Sequence, residues 1–338
     1  MNRIWGLLGL LLFWGCGTQQ PTTAPSTPVP QGPEGVKGKI VMGGDGGTVS
    51  GFSAVKEVEQ IMNYLASDEL EGRDSGSKGI EKAAQFIENH FTSSGVVPYF
   101  ETYRDTLAHV KPISYNIVGW VPGNDPQLKE EYILIGAHYD HIGIVAAVYS
   151  DAIANGANDN ASGTATVLEL ARYFGKNRTN RRSLVFALFS AEERGLLGSK
   201  HLAKKLKQQQ LNLYTMLNFE MTGVPMAHES YLLYITGYQL SNLAEVSNAY
   251  AQEKLIGYLP ASKTYQLFKR SDNYPFHKEF GVPSHTYCSF DFTNYEYYHK
   301  PGDEVGELDL DYMTKVINKM IPVVVGISNA PEQEVEMN

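Results

Sequence analysis

Apolar residues recur at helical spacing through Val55–Leu65 (VKEVEQIMNYL), and again from Ile80 to Phe91. Each stretch predicts a helix with one buried face. Between them, residues 68–79 (DELEGRDSGSKG) form a glycine-punctuated loop. Further on the period changes. Tyr132–Ala137 and Ser183–Phe189 are continuous apolar runs of strand length, as expected for strands covered on both faces. Ser162–Phe174 between them has helical spacing, and Leu213–Leu217 supplies a third apolar segment. Strand, helix, strand, helix predicts an α/β fold: a three-layer sandwich with a central, mostly parallel mixed sheet flanked by helices, in a single catalytic domain. Residues 222–263 are the most irregular stretch and read as a lid or insertion.

The chain begins differently. Arg3 precedes a short apolar run, Ile4 to Trp14, which is too short for a bilayer-spanning helix of about 20 residues. A positive start, an apolar run and a small residue at the break predict an export signal over residues 1–15. Gly15-Cys16 resembles a bacterial lipobox, so the expectation is an exported lipoprotein held to a lipid bilayer, at the outer membrane, through acylated Cys16. Residues 16–37, rich in Pro and Thr, read as a flexible tether. The folded domain is then expected over 38–332, with a short tail at 333–338.

Composition narrows the function classes. The 338 residues carry 28 Lys+Arg against 37 Asp+Glu, a formal charge of −9, which excludes a broad electrostatic grip on nucleic acid. The 21 Tyr, 14 Phe and 3 Trp supply enough burial to exclude general disorder. Two cysteines exclude a disulfide framework, and Cys288 is expected as a reduced core thiol.

Polar clusters follow the buried strands. The first strand runs into His138-Tyr139-Asp140-His141, and the loop beyond carries Asp159 among Asn and Gly. The second runs into Glu192-Glu193, and the third segment into Glu220. His299 and Asp303 lie near the C-terminus. Chemistry in open α/β sheets sits at the carboxyl ends of the strands, so these groups should converge. Crowded carboxylates repel, and divalent cations remove that cost. Imidazole with carboxylate oxygen suits Zn²⁺, or less selectively Co²⁺ or Mn²⁺. Two such ions need a bridging carboxylate and a separate base.

At this point the residues resemble a known family, the co-catalytic zinc exopeptidases typified by aminopeptidase Y and the bacterial leucyl aminopeptidases. The matching strings are SDELEGRDSGSKG at 67–79, GAHYDHIG at 136–143, NGANDNASG at 155–163, SAEERGLLGS at 190–199, NFEM at 218–221, RSDNYPF at 270–276 and YYHKPGDE at 297–304. The resemblance implies two zinc ions per subunit and peptide substrates with a free N-terminus. It implies His138 and Glu220 at one ion, His299 and Glu193 at the other, and Asp159 between them. It also implies Glu192 as general base on zinc-bound water, Tyr298 as a donor to the developing oxyanion, and Asp140 and Asp303 as orienting residues. Many members have Asp where Glu220 stands, which bears on metal preference.

Three other readings fit these residues less well. Glutaminyl cyclases of the same fold use one zinc to form pyroglutamate; they share the Glu-Glu pair but typically show Trp where Tyr298 stands. A receptor-like relative without metal conflicts with the complete candidate ligand set. Ser75-Gly76-Ser77-Lys78 and Ser271-Asp272-Asn273 match two serine β-lactamase signatures, but no K-T-G follows. An aminopeptidase is the reading the residues support best.

Overall fold

A computed structural model describes residues 51–227 and 229–338. The expected export signal, Cys16 and the tether lie outside the described residues. Two helices open the described chain, α1 (Val55–Leu65) and α2 (Lys78–Ser94). In α1 the buried positions Val58, Ile61, Met62 and Leu65 follow the helical period. The Ser77 side chain caps α2 by accepting the Ile80 N–H, and Gly95, at φ 78°, ends it in the left-handed region.

The sheet then begins with β1 (Val97–Pro98), β2 (Arg104–Leu107) and β3 (Ser114–Val121), followed by β4 (Tyr132–His138). A separate antiparallel hairpin, β5 (Gly143–Val148) and β6 (Asp151–Ala154), precedes α3 (Gly163–Asn177). The chain continues through β7 (Ser183–Phe189), α4 (Leu197–Gln208) and β8 (Leu213–Glu220). Next come β9 (Leu233–Ile235), α5 (Leu243–Ala251), β10 (Ile256–Gly257) and α6 (Pro260–Thr264). The last elements are α7 (Asn273–Phe280), β11 (Ser284–Cys288) and α8 (Leu310–Asn329).

The strand order is β1-β3-β7-β4-β8-β11-β9-β10, with β2 also paired to β3. The central strands β7, β4, β8 and β11 are mutually parallel, while β1, β2 and β3 join antiparallel and β9 pairs antiparallel with β11. Alternate residues of the central strands serve opposite layers. Ile133, Ile135, Leu184, Phe186, Leu217 and Phe219 pack with α1, α2, α3 and α8. Leu134, Val185, Ala187, Phe189 and Met216 pack with Leu202 and Leu206 of α4 and Phe276 of α7. Both faces are thus covered, and the three layers expected from the apolar runs are present.

Residues 222–263, expected as a lid or insertion, carry β9, α5 and β10 on the edge of the main sheet. Leu233, Ile235, Leu243, Val246 and Ile256 are buried in the principal core. At the end of the chain, Val335 is buried and its N–H donates to the Tyr214 hydroxyl. Among the described residues no helix is long and apolar enough to cross a membrane.

The connections place the site. From β4 the chain passes through α3 to β7 on one side, then returns through α4 to β8 on the other side of β4. This reversal opens a crevice at the carboxyl ends of the strands, the usual location of a ligand site in such sheets.

Candidate metal centre

His138 is the last residue of β4, pairing in register with Phe189 of β7. Glu192 and Glu193 follow β7 after two residues, and Glu220 ends β8. Three neighbouring strands therefore deliver these side chains to one end of the sheet. Ala191, Met221 and His299 each have positive φ, at 58°, 50° and 57°. Non-glycine residues seldom take this conformation and tend to do so at functional sites.

Asp159, 3% exposed, stands between the histidines. Its Oδ1 lies 3.3 Å from His138 Nε2, and its Oδ2 lies 3.1 Å from His299 Nε2. His299 Nε2 is also 3.3 Å from Glu193 Oε2, yet it is buried without a hydrogen bond. Donor atoms that share a tetrahedral zinc with bonds of 2.0–2.1 Å are separated by about 3.3 Å. The spacing, the unpartnered nitrogen and the nitrogen–oxygen donor set thus fit a metal ion. His141, Asp159, Glu193 and His299 form the tight group, with one donor atom from each lying within 4.8 Å of all the others.

Glu220 is outside that tight group. It lines the same cavity, and its carboxylate accepts the Ser271 hydroxyl. Tyr298 also lines the cavity and stacks on the His299 ring at 4.0 Å between centroids. Asp140 supports His138 mainly through its backbone: its carbonyl oxygen is 3.2 Å from His138 Nδ1, whereas Oδ1 is 3.8 Å away. The Asp140 carboxylate accepts the Ser75 hydroxyl and the Glu192 N–H, each at 3.2 Å, linking the β4 and β7 ends. Asp303, expected to act beside His299, is bonded elsewhere. It accepts the backbone N–H groups of Asn158 and Asp159 at 2.6 and 3.0 Å, and the Tyr295 hydroxyl at 2.6 Å. Its effect is to fix the loop carrying Asp159.

The metal-free cluster has opposed electrostatics. Burial would lower the His138 pKa, but Glu192, Asp159 and Asp140 outweigh it and hold the imidazole well above its ordinary range. Burial likewise opposes the His299 cation, yet Asp159 and Glu193 raise its pKa to about 10. Burial pushes Glu192 well above the usual carboxylate range, with Asp272, Glu220 and Glu193 adding to the rise. Burial also raises Asp140 to about 6 and Asp272 to about 7. Asp159 is the exception: burial opposes ionisation, but His138 and His299 hold it well below the usual range.

Two residues at the centre had no role in the sequence reading. His141 is fully buried with Nδ1 3.0 Å from Glu193 Oε1; its place three residues after His138 was the available signal. Arg73 is 1% exposed and lies beneath the cluster. Its guanidinium donates to the carbonyls of Tyr139 at 2.9 Å, Asn155 at 2.6 Å, Gly156 at 2.9 Å and Leu65. It thereby joins the β4 end, the Asp159 loop and α1. Burial lowers its pKa to about 10 despite Asp303, Asp140, Asp159 and Glu193 nearby. Only the sequence string at 67–79 pointed towards it.

The chain is similar in sequence and in fold to several known proteins. Aminopeptidase YwaD of Bacillus subtilis is 34% identical over 206 residues, covering 59% of this chain and 41% of that protein. The chain thus spans less than half the length of that curated relative. The fold matches the LapA aminopeptidase of Legionella pneumophila with a TM-score of 0.64 at 22% identity, covering 82% of this chain and 73% of the other. It also matches the Porphyromonas gingivalis glutaminyl cyclase, with a TM-score of 0.62 at 16% identity over 80% and 97% of the two chains. Residues 116–324, which contain every residue of the cluster except Arg73, match the profile of peptidase family M28, and the chain belongs to that family.

Proposed function

We propose that this protein is a zinc aminopeptidase with two metal sites, hydrolysing the peptide bond at the N-terminus of peptides. The observation that carries the two-site reading is Asp159, whose separate oxygens face His138 and His299. His138, Glu220 and Asp159 would hold one ion; His299, Glu193 and Asp159 would hold the other. Bound there, zinc would supply Lewis acidity for a carbonyl and lower the pKa of water.

The chain's own residues supply the rest. Glu192 takes the proton of the attacking water and delivers it to the leaving amine, and its raised pKa suits a group that must hold that proton between the two steps. The Asp140 carboxylate fixes the Glu192 backbone. Tyr298 offers a phenol donor where charge develops on the carbonyl oxygen. Met221, Leu267, Phe290 and Phe292 give the cavity an apolar wall that would receive the N-terminal side chain and exclude water.

The test joins zinc stoichiometry to a peptide-library cleavage profile, using wild type and Glu192→Gln. Two zincs and release of N-terminal residues are expected in the wild type, with turnover lost and zinc retained in the variant. Cyclisation of Gln-peptides with one zinc would favour the cyclase reading. A Glu192→Gln variant that keeps most of its activity would refute the assigned base.

A further inference from the structure

We propose that His141 is a positioning residue: its Nδ1–H donates to Glu193 Oε1 and so keeps Glu193 Oε2 facing the site shared with His299 and Asp159. The inference rests on the metal reading above. It starts from how Glu193 divides its oxygens, Oε1 lying 3.0 Å from His141 Nδ1 and Oε2 lying 3.3 Å from His299 Nε2. A carboxylate at the end of a flexible stem can present either oxygen, or both, to an ion. A donor fixed on one oxygen removes that freedom.

The surroundings of His141 make it such a donor. Its ring is fully buried, and its backbone N–H donates to the Arg73 carbonyl at 3.3 Å. Gly156 lies against the ring so closely that a Cβ there would come within 2.5 Å of His141 Cγ. The ring is therefore held in place by packing that does not involve a metal.

The second nitrogen argues against direct ligation. His141 Nε2 is buried and has no hydrogen-bond partner. A neutral imidazole carries one N–H. With the proton on Nδ1 it meets Glu193, and Nε2 keeps only an unfilled lone pair. If Nδ1 bound the ion, the proton would move to Nε2 and a donor would be buried without an acceptor. Ligating histidines instead give their second N–H to a partner. His138 follows that pattern, with Nδ1 3.2 Å from the Asp140 carbonyl. The remaining polar approach of His141 Nδ1, to Asp159 Oδ2, is 3.8 Å and too long for a hydrogen bond.

The experiment measures stepwise Zn²⁺ affinity on the full chain by competition with a chromophoric chelator, for wild type, His141→Ala and His141→Asn. An asparagine amide can place an N–H near the position of Nδ1. His141→Ala should weaken one of the two binding steps by about 10–100-fold, as loss of a partner to a ligating group typically does, and leave the other step as in wild type. His141→Asn should restore most of that affinity. X-ray absorption on the two-zinc protein should count one imidazole per ion on average, unchanged in both variants.

Unchanged zinc affinity in His141→Ala would overturn the inference, as would equal weakening of both steps. A fall in the imidazole count in both variants would overturn it in favour of direct ligation. A wild type that binds no zinc would instead overturn the metal reading itself, and this inference with it.

Discussion

Arg73→Met keeps an apolar stem in the core and removes the guanidinium. Three buried carbonyl oxygens, those of Leu65, Tyr139 and Asn155, would then lose their donor, while that of Gly156 keeps the Ala161 N–H. An unpaired buried group costs about 1–3 kcal/mol, so the gross loss is about 6 kcal/mol. Part is returned, because the buried cation is itself desolvated. Its pKa falls from 12.5 to about 10, and at 1.36 kcal/mol per unit removing that strain recovers about 3 kcal/mol. The net is a destabilisation of about 3 kcal/mol, a large fraction of the whole stability of many proteins. The loss should be larger in chelated protein than with zinc, because the same change takes one cation away from Asp303, Asp140, Asp159 and Glu193 and no zinc replaces it. Urea unfolding of the wild type, Arg73→Met and Arg73→Lys, each with chelator and with excess zinc, reads both effects. Lysine carries the charge but not the planar fork, so it should fall between the other two. No measurable loss in Arg73→Met would refute the reasoning, since three stranded carbonyls should outweigh the roughly 3 kcal/mol recovered.

Two further outcomes follow from the same centre. Metal-free protein should lose stability as pH rises from about 4 to about 10. Asp140, Asp272, His138 and His299 all have raised folded pKa values, so their contributions are complete below the unfolded pKa values and are lost as pH passes the folded ones. Thermal unfolding of chelated protein at pH 5.5 and 8.5 checks the sign; a higher midpoint at pH 8.5 would contradict it. Gly156→Ala should destabilise by about 2–3 kcal/mol and weaken zinc binding. Its φ is +60°, and the added Cβ would lie 2.4 Å from the Asp159 carbonyl oxygen. A variant that matches wild type in urea unfolding and zinc titration would show that the loop yields freely.

How much of this was legible in the sequence depended on the kind of burial involved. The strands β4, β7 and β8 lie under helices on both faces, so their apolar runs are continuous and their ends mark where chemistry begins. Helices α1 and α2 show one buried face at the helical period. The short strands β9 and β10 leave no such trace: three and two residues interrupted by turns cannot display a period, and the segment looked irregular. Asp140 and Asp303 could be associated with the site, but not the atoms they would engage, since their main partners are backbone groups. Arg73 was hidden by its chemistry. A charged residue in a glycine-rich loop ordinarily faces water, and only the folded chain brings the carbonyls that make its burial tolerable.

The strand pairing under the centre has a consequence for how the molecule could change. His138 and Glu220 end two adjacent strands, and the Glu192-Glu193 pair follows the third two residues on; the strand separation, about 4.8 Å, is dictated by backbone hydrogen bonds rather than by side chains. The apolar wall of the cavity comes instead largely from a helical turn and a loop, through Leu267, Phe290 and Phe292. If the protein acts on peptides as proposed, those wall positions are places where selection or engineering could alter which peptide is accepted while the strand ends stay where they are. On the proposed function, the choice of substrate and the capacity for reaction would be written in separate parts of the polypeptide.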